Sequence, residues 1–167
     1  NLNKEELKDT DVDTIATTVL HELTHTFTSK SIKQWRKDPN SVSVEQRVAI
    51  NKLEGLRKKY EAHLRKEGRE NDLTNFTVSY NAWVKDKTKN ADFTEKDLSE
   101  LYGAVKLEEF VTMALTDVEF QHILNNIVDD NGKTMLSKLL DELMNVMNSL
   151  LKTVGIDLKE NNLLRNT

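Results

Sequence analysis

Helix-breaking residues are scarce in this chain. One proline and five glycines occur in 167 residues, set against many Leu, Lys, Glu and Asn residues. Because proline and glycine interrupt helices and shape tight turns, their scarcity predicts a mainly α-helical fold with little or no β-sheet. At this length a single domain can bury roughly two-thirds of the surface that its unfolded chain exposes. We therefore expect residues 1 to 167 to form one domain.

Composition excludes several classes of site. The chain has no cysteine, which rules out Cys-ligated zinc, thiol catalysis and disulfides and leaves only His, Asp or Glu to hold a metal. The net charge is −4 and basic stretches are balanced by acidic ones, which is not the pattern of a nucleic-acid-binding protein. No apolar run approaches the roughly 18 residues that a membrane span needs, and the first residues do not resemble a signal peptide. We therefore predict no nucleic-acid or membrane partner.

Capping signals divide the first half of the chain into two helices. The first is predicted from about Asp13 to Trp35, and "KDPNS", residues 37 to 41, ends it. Ser43 stands three residues before Gln46, which predicts a capping box at the start of a second helix. This second helix is expected to end near Gly68.

The segment from residue 71 to residue 94 has the least regular pattern. Within it "NFTVSY", residues 75 to 80, is compatible with a short strand, an extended loop or a helix. These three alternatives stay open on the sequence alone.

Three further helices are predicted in the second half. Thr94 precedes Asp97 by three residues and caps a helix that we expect to be interrupted or kinked near Gly103. Thr116 or Asp117 caps the next helix. "DDNGK" then forms a turn before a long amphipathic helix, whose Leu and Met stripe predicts core packing.

The stretch "TVLHELTHTF", residues 18 to 27, carries the main chemical signal. His21 and His25 stand four residues apart, so on a helix both imidazoles lie on one face and can bind one metal ion. Glu22 is close enough to orient a metal-bound water without being a ligand itself. This is the arrangement of zinc metalloproteases, in which the metal lowers the pKa of the water and the glutamate takes its proton.

A catalytic zinc requires a third protein ligand. An acidic residue on a second helix is the best candidate, and "KLEEFVTMAL" supplies Glu108 and Glu109 beside an apolar stretch that predicts burial. His63, on a charged helix face, and His122 are weaker candidates. The residues themselves do not decide between the two glutamates.

Taken together, "HELTH" and "EEFVTMAL" resemble the gluzincin metallopeptidases, and the pattern is most similar to the anthrax lethal factor type. There the third zinc ligand is a glutamate that opens an "EFFAEAF"-like segment, and a tyrosine seven residues earlier stabilises the oxyanion. In this chain Glu109 opens "EFVTMAL" and Tyr102 stands seven residues before it. The resemblance thus implies that Glu109 is the third ligand of Zn²⁺ and that Tyr102 assists catalysis.

"KLEEFVTMALTDVEFQHIL" is also similar to segments of metallopeptidase-like domains in very large phage-encoded polyproteins. This resemblance implies that the domain is a fragment of a longer polypeptide, since the chain starts without Met, and that other domains of that polypeptide are its partners. The location stays unknown from the sequence, and a virion-associated or a host-cytoplasmic one is compatible with this resemblance.

These observations predict a zincin-like helical domain that acts as a zinc endopeptidase on a protein or peptide substrate. The first alternative is a non-catalytic, zinc-stabilised structural or interaction module of a larger phage virion or toxin-like protein. It is favoured by the short stretch of about a dozen residues before this helix, which implies that the sheet that zincins place there is missing, displaced, or supplied by "NFTVSY" or another chain. The second alternative is a helical interaction domain without metal.

Overall fold

The computed structural model describes residues 28 to 88 and residues 93 to 153, together with Glu22 and Thr26. Regular structure in these residues is helical and no sheet is formed, which confirms the predicted mainly α fold. An isolated antiparallel bridge joins Val128 to Thr134 beside the turn that contains Gly132. None of the described helices is long and apolar enough to cross a bilayer.

The helices follow one another with short connections. Their bounds are residues 28 to 37 (α1), Val44–Lys66 (α2), Glu70–Lys85 (α3), Glu95–Val105 (α4), Leu107–Thr116 (α5), Val118–Asn126 (α6) and Met135–Thr153 (α7), with a 3₁₀ turn at Pro39–Ser41 between α1 and α2.

The first predicted helix is confirmed only in its described part. Helix α1 continues two residues beyond Trp35, and the backbone at Glu22 and Thr26 is helical as well. Asp38 has an extended backbone, with φ −153° and ψ 104°, which ends α1. Its side chain caps the following 3₁₀ turn by accepting a hydrogen bond from the backbone N–H of Asn40 at 3.0 Å. The other predicted residues of this helix, from Asp13 onward, lie outside the described residues.

The predicted caps are present. Ser43 and Gln46 form a capping box on α2, in which the Ser43 hydroxyl accepts from the Gln46 backbone N–H at 3.2 Å and the Gln46 side chain accepts from the Ser43 N–H at 3.0 Å. Thr94 caps α4. Asp117, one of the two predicted alternatives, caps α6 by accepting from the backbone N–H of Phe120 at 2.7 Å.

The "NFTVSY" segment is helical, so the strand and loop alternatives are wrong. A strand would place Phe76, Val78 and Tyr80 on one face, because strand side chains alternate. Instead Leu73, Phe76 and Tyr80 are buried at helical spacing, whereas Val78 is 66% exposed. The helix buries Leu73 together with Phe76 and Tyr80, which a strand would not do, and burial of these three residues favours the helix.

The predicted interruption of the helix that Thr94 caps is confirmed, and it lies at Lys106, three residues beyond Gly103. Lys106 has an extended backbone, with φ −156° and ψ 164°, which ends α4 and starts α5. Gly103 lies inside α4, where the ring of Phe120 occupies the space that a β-carbon would need. Glycine here permits the close approach of α4 and α6 and does not break the helix.

Helices α2 and α7 pack side by side in opposite directions. Ion pairs join Glu45 to Lys152 at 3.5 Å and Lys52 to Glu142 at 3.6 Å, so the start of α2 lies beside the end of α7. Helices α4, α5 and α6 pack on one another, and α4 and α5 also contact α2. The ring centroids of three buried aromatic residues lie 5.2 to 6.0 Å apart at this junction, those of Tyr60, Phe110 and Phe120.

Candidate metal centre

Glu109, the predicted third ligand, lies in the first turn of α5. Leu107, Phe110 and Val111 around it are buried and anchor this turn in the core. The Glu109 side chain is only 16% exposed. A carboxylate in the first turn is favoured by the unpaired N–H groups of the helix start, which partly offsets the cost of its burial.

Three side chains surround the Glu109 carboxylate. The Tyr80 hydroxyl, on α3, donates a hydrogen bond of 3.0 Å to Oε1. The Lys106 ammonium nitrogen lies 3.7 Å from the same oxygen. Tyr102, on α4, lies near enough for the negative charge of Glu109 to raise its pKa. Helices α3, α4 and α5 thus bring two phenols and one cation to a single carboxylate.

The two tyrosines beside Glu109 pack against each other and have raised pKa values. Their ring centroids lie 5.4 Å apart in an edge-to-face arrangement. Burial, and then the interaction with Glu109 and its negative charge, raise the pKa of Tyr102 far above its ordinary value. Burial and the charge of Glu109 also raise the pKa of Tyr80. Both hydroxyls therefore keep their protons at neutral pH, and that of Tyr80 donates to Glu109.

The neighbouring acid, Glu108, has a different partner. Its Oε2 atom lies 2.6 Å from the Arg36 guanidinium on α1. The two adjacent glutamates therefore diverge, because Glu108 pairs with α1 while Glu109 contacts α3 and α4. The same ion pair holds the end of α1 against the first turn of α5. Of the weaker candidates, His63 stacks near the Tyr60 ring and His122 is exposed.

The predicted histidine ligands, His21 and His25, lie outside the described residues. Glu22 between them is helical and exposed. Farther along the same segment, Thr28 and Ile32 are completely buried. The Thr28 hydroxyl has no hydrogen-bond partner among the described residues, so the buried face of α1 carries a polar group that needs one.

The chemistry of the Glu109 side chain is compatible with the predicted role of zinc ligand. It is an anionic oxygen donor in a mostly buried position, and outer hydrogen bonds of the kind that Tyr80 makes are typical of metal-ligating carboxylates. No three His, Asp or Glu side chains of residues 28 to 88 and 93 to 153 are grouped as a complete metal site. A metal bound at Glu109 would need further ligands, and His21 and His25 are the predicted ones.

The sequence does not single out Tyr80 and Lys106. Tyr80 belongs to the segment for which strand, loop and helix are all compatible with the sequence, and its contact with Glu109 spans 29 residues. The available signal is the helical spacing of Leu73, Phe76 and Tyr80, which predicts that Tyr80 faces the core. Nothing local indicates that a carboxylate is its partner.

Comparisons of the chain with protein-family models, with curated proteins and with solved structures found no match. The functional case therefore depends on the "HELTH" motif and on the contacts of Glu109.

Proposed function

We propose that this chain is a zinc-dependent metallopeptidase domain of the gluzincin type, with His21, His25 and Glu109 as metal ligands. One observation carries the proposal. Glu109, which the resemblance implies as the third ligand, is a mostly buried carboxylate that accepts a hydrogen bond from Tyr80, a residue of another helix. Burial alone does not distinguish Glu109 from Glu108, whose side chain is 13% exposed, so the contact with Tyr80 is the feature that supports the assignment.

The packing of α1 supports the same assignment. Thr28 and Ile32 are buried and Arg36 reaches Glu108, so the face of α1 that carries these residues lies toward the core and the first turn of α5. By helical spacing, His21 and His25 belong to the same row of residues. The sequence therefore predicts that both imidazoles lie on the same side of this helix as Arg36, which contacts Glu108, the neighbour of Glu109.

The proposed chemistry assigns one role to each residue. Bound zinc would activate a water molecule and polarise the peptide carbonyl. Glu22 would accept the proton of that water as general base and pass it to the leaving amine. Tyr102, which stays protonated, would donate a hydrogen bond to the developing oxyanion, an interaction commonly worth roughly 3 kcal/mol of the barrier. The substrate class is a protein or peptide chain cleaved internally.

The test is a pair of glutamate variants with zinc content and hydrolysis of labelled casein as readouts. Glu22→Gln is expected to bind zinc like the wild type and to lose hydrolysis, because the amide cannot accept the proton. Glu119→Gln, at an exposed carboxylate on α6, is the matched control and should keep both properties. Turnover that survives in Glu22→Gln would refute the role of Glu22.

A second candidate function is a zinc-stabilised module without catalysis. It is favoured by the absence of any strand among the described residues, because zincin-type peptidases bind the substrate along the edge of a sheet. In this case zinc would be bound only by protein ligands and would stabilise the packing of the histidine-bearing helix on α5. A wild-type protein that binds zinc with all positions filled by protein, and that hydrolyses nothing, would support this function.

A further inference from the structure

We infer that Tyr80 is a positioning residue for Glu109: its hydroxyl fixes Oε1 and leaves Oε2 as the oxygen that binds the metal. This inference rests on the proposed zinc site and goes beyond it, since neither the motif nor the resemblance assigns a role to α3. The contact joins residues 29 positions apart at 3.0 Å. It is thus a product of the fold and not of local sequence.

The Tyr80 side chain is itself fixed by its surroundings. It is 4% exposed, and its ring packs against those of Tyr102 at 5.4 Å and Trp83 at 6.2 Å. A buried phenol hydroxyl needs a hydrogen-bond acceptor, and a charged carboxylate is a stronger acceptor than a neutral group. Because the ring cannot swing away, the hydrogen bond defines where Oε1 lies.

Lys106 lies near the same oxygen, but its positive charge would disfavour metal binding there. Its ammonium nitrogen is 3.7 Å from Oε1, and the side chain remains 36% exposed. A cation beside a divalent metal repels it, whereas a neutral phenol orients the carboxylate without adding charge. Tyr80 is therefore the residue that favours metal binding, and Lys106 compensates the charge of Glu109 in the metal-free protein.

The experiment measures zinc affinity by competition with a chromogenic chelator, and it needs no enzymatic activity. Tyr80→Phe keeps the ring and removes the hydroxyl, and we expect its affinity to fall about 10- to 100-fold, the usual loss for an outer partner of a metal ligand. Lys106→Met, which removes only the cation, should bind zinc as tightly as the wild type or more tightly.

The matched control is Tyr60→Phe. Tyr60 is also buried, and its hydroxyl donates to the backbone oxygen of Glu100, away from Glu109. This variant should retain wild-type zinc affinity, although it loses a buried hydrogen bond. Melting temperatures of all the metal-free proteins would register any general loss of structure.

The outcomes separate the inference from the function on which it rests. Wild-type affinity in Tyr80→Phe would overturn the inference and leave the zinc site standing. Equal weakening in Tyr80→Phe and Tyr60→Phe would also overturn it, because the effect would then be one of general stability. A wild-type protein that binds no zinc at all would overturn the proposed function and the inference together.

Discussion

Gly103 tests how closely α4 must approach α6. In Gly103→Ala the new β-carbon would lie 2.5 Å from Cζ and 2.9 Å from Cε2 of the Phe120 ring. Non-bonded carbon atoms do not approach so closely, so either the Phe120 ring or helix α4 must move. Phe120 is completely buried between the rings of Tyr60 and Phe110, which leaves it little room.

The expected magnitude is a balance of two effects. Forcing extra volume into a packed core typically costs about 1–3 kcal/mol. Alanine inside a helix is favoured over glycine by about 1 kcal/mol. We therefore expect Gly103→Ala to lower the free energy of unfolding by about 1 kcal/mol, which corresponds to a decrease of roughly 2–4 °C in melting temperature for a chain of this size.

Gly55→Ala on α2 is the matched control, because no atom lies within 4 Å of the position that its new β-carbon would take and only the helix propensity changes. It should raise the free energy of unfolding by roughly 0.5–1 kcal/mol. Urea unfolding followed by circular dichroism in the far ultraviolet gives both values. The difference between the two variants isolates the overlap with Phe120, and it is expected to be about 1–3 kcal/mol.

Equal stabilisation by both alanines would refute the described packing. A second check uses Phe120→Leu, which removes the ring atoms that the new methyl group would meet. In that background Gly103→Ala should cost much less than in the wild type, so the two changes should not be additive. Additive effects would show that Gly103 and Phe120 are not in contact.

Two further predictions concern local structure. Ser43→Ala removes the side chain that caps α2 and should lower the free energy of unfolding by about 0.5–2 kcal/mol in urea titrations, whereas Ser137→Ala, at an exposed serine, should change it little. The Lys138 ammonium group and then the Lys133 backbone N–H lower the pKa of the Asp129 carboxyl. The ionised carboxylate therefore stabilises the folded protein above the ordinary carboxyl pKa of about 4, and this stabilisation is lost as the pH falls below that value. Asp129→Asn should therefore lower the urea midpoint at neutral pH, and this deficit should shrink at a pH of about 3; a deficit that is equal at both pH values would contradict the charge-based explanation.

The helix boundaries are predictable where their causes are local. The capping box at Ser43 and the cap at Thr94 each depend on residues three positions apart, so the sequence contains the whole signal. For α6 the sequence narrows the cap to Thr116 or Asp117, and the hydrogen bond to Phe120 identifies Asp117. Such features need no knowledge of the tertiary structure.

Features that depend on distant partners are not predictable in the same way. "NFTVSY" suits a strand by its alternation, and only the burial of Leu73 with Phe76 and Tyr80 makes it a helix. Gly103 suggests a kink, whereas the reason for glycine there is the ring of Phe120 on another helix. In both cases the local pattern is compatible with two structures, and tertiary packing decides between them.

Some features of the candidate site are likewise predictable from the sequence, and others depend on distant contacts. The spacing of His21 and His25 is a sequence property, and the choice of Glu109 over Glu108 comes from resemblance. The structure adds a physical distinction between these glutamates, since Glu108 pairs with Arg36 over 72 residues while Glu109 binds Tyr80. No local pattern contains either contact.

The most direct test of the proposed site is zinc content, measured by mass spectrometry on protein purified without a metal-affinity tag. The wild type and Glu108→Ala should each carry about one zinc per chain, and Glu109→Ala should lose it or bind it much more weakly. Wild-type protein without zinc even after reconstitution, or Glu109→Ala with undiminished zinc, would contradict the central claim that Glu109 completes a metal site with His21 and His25.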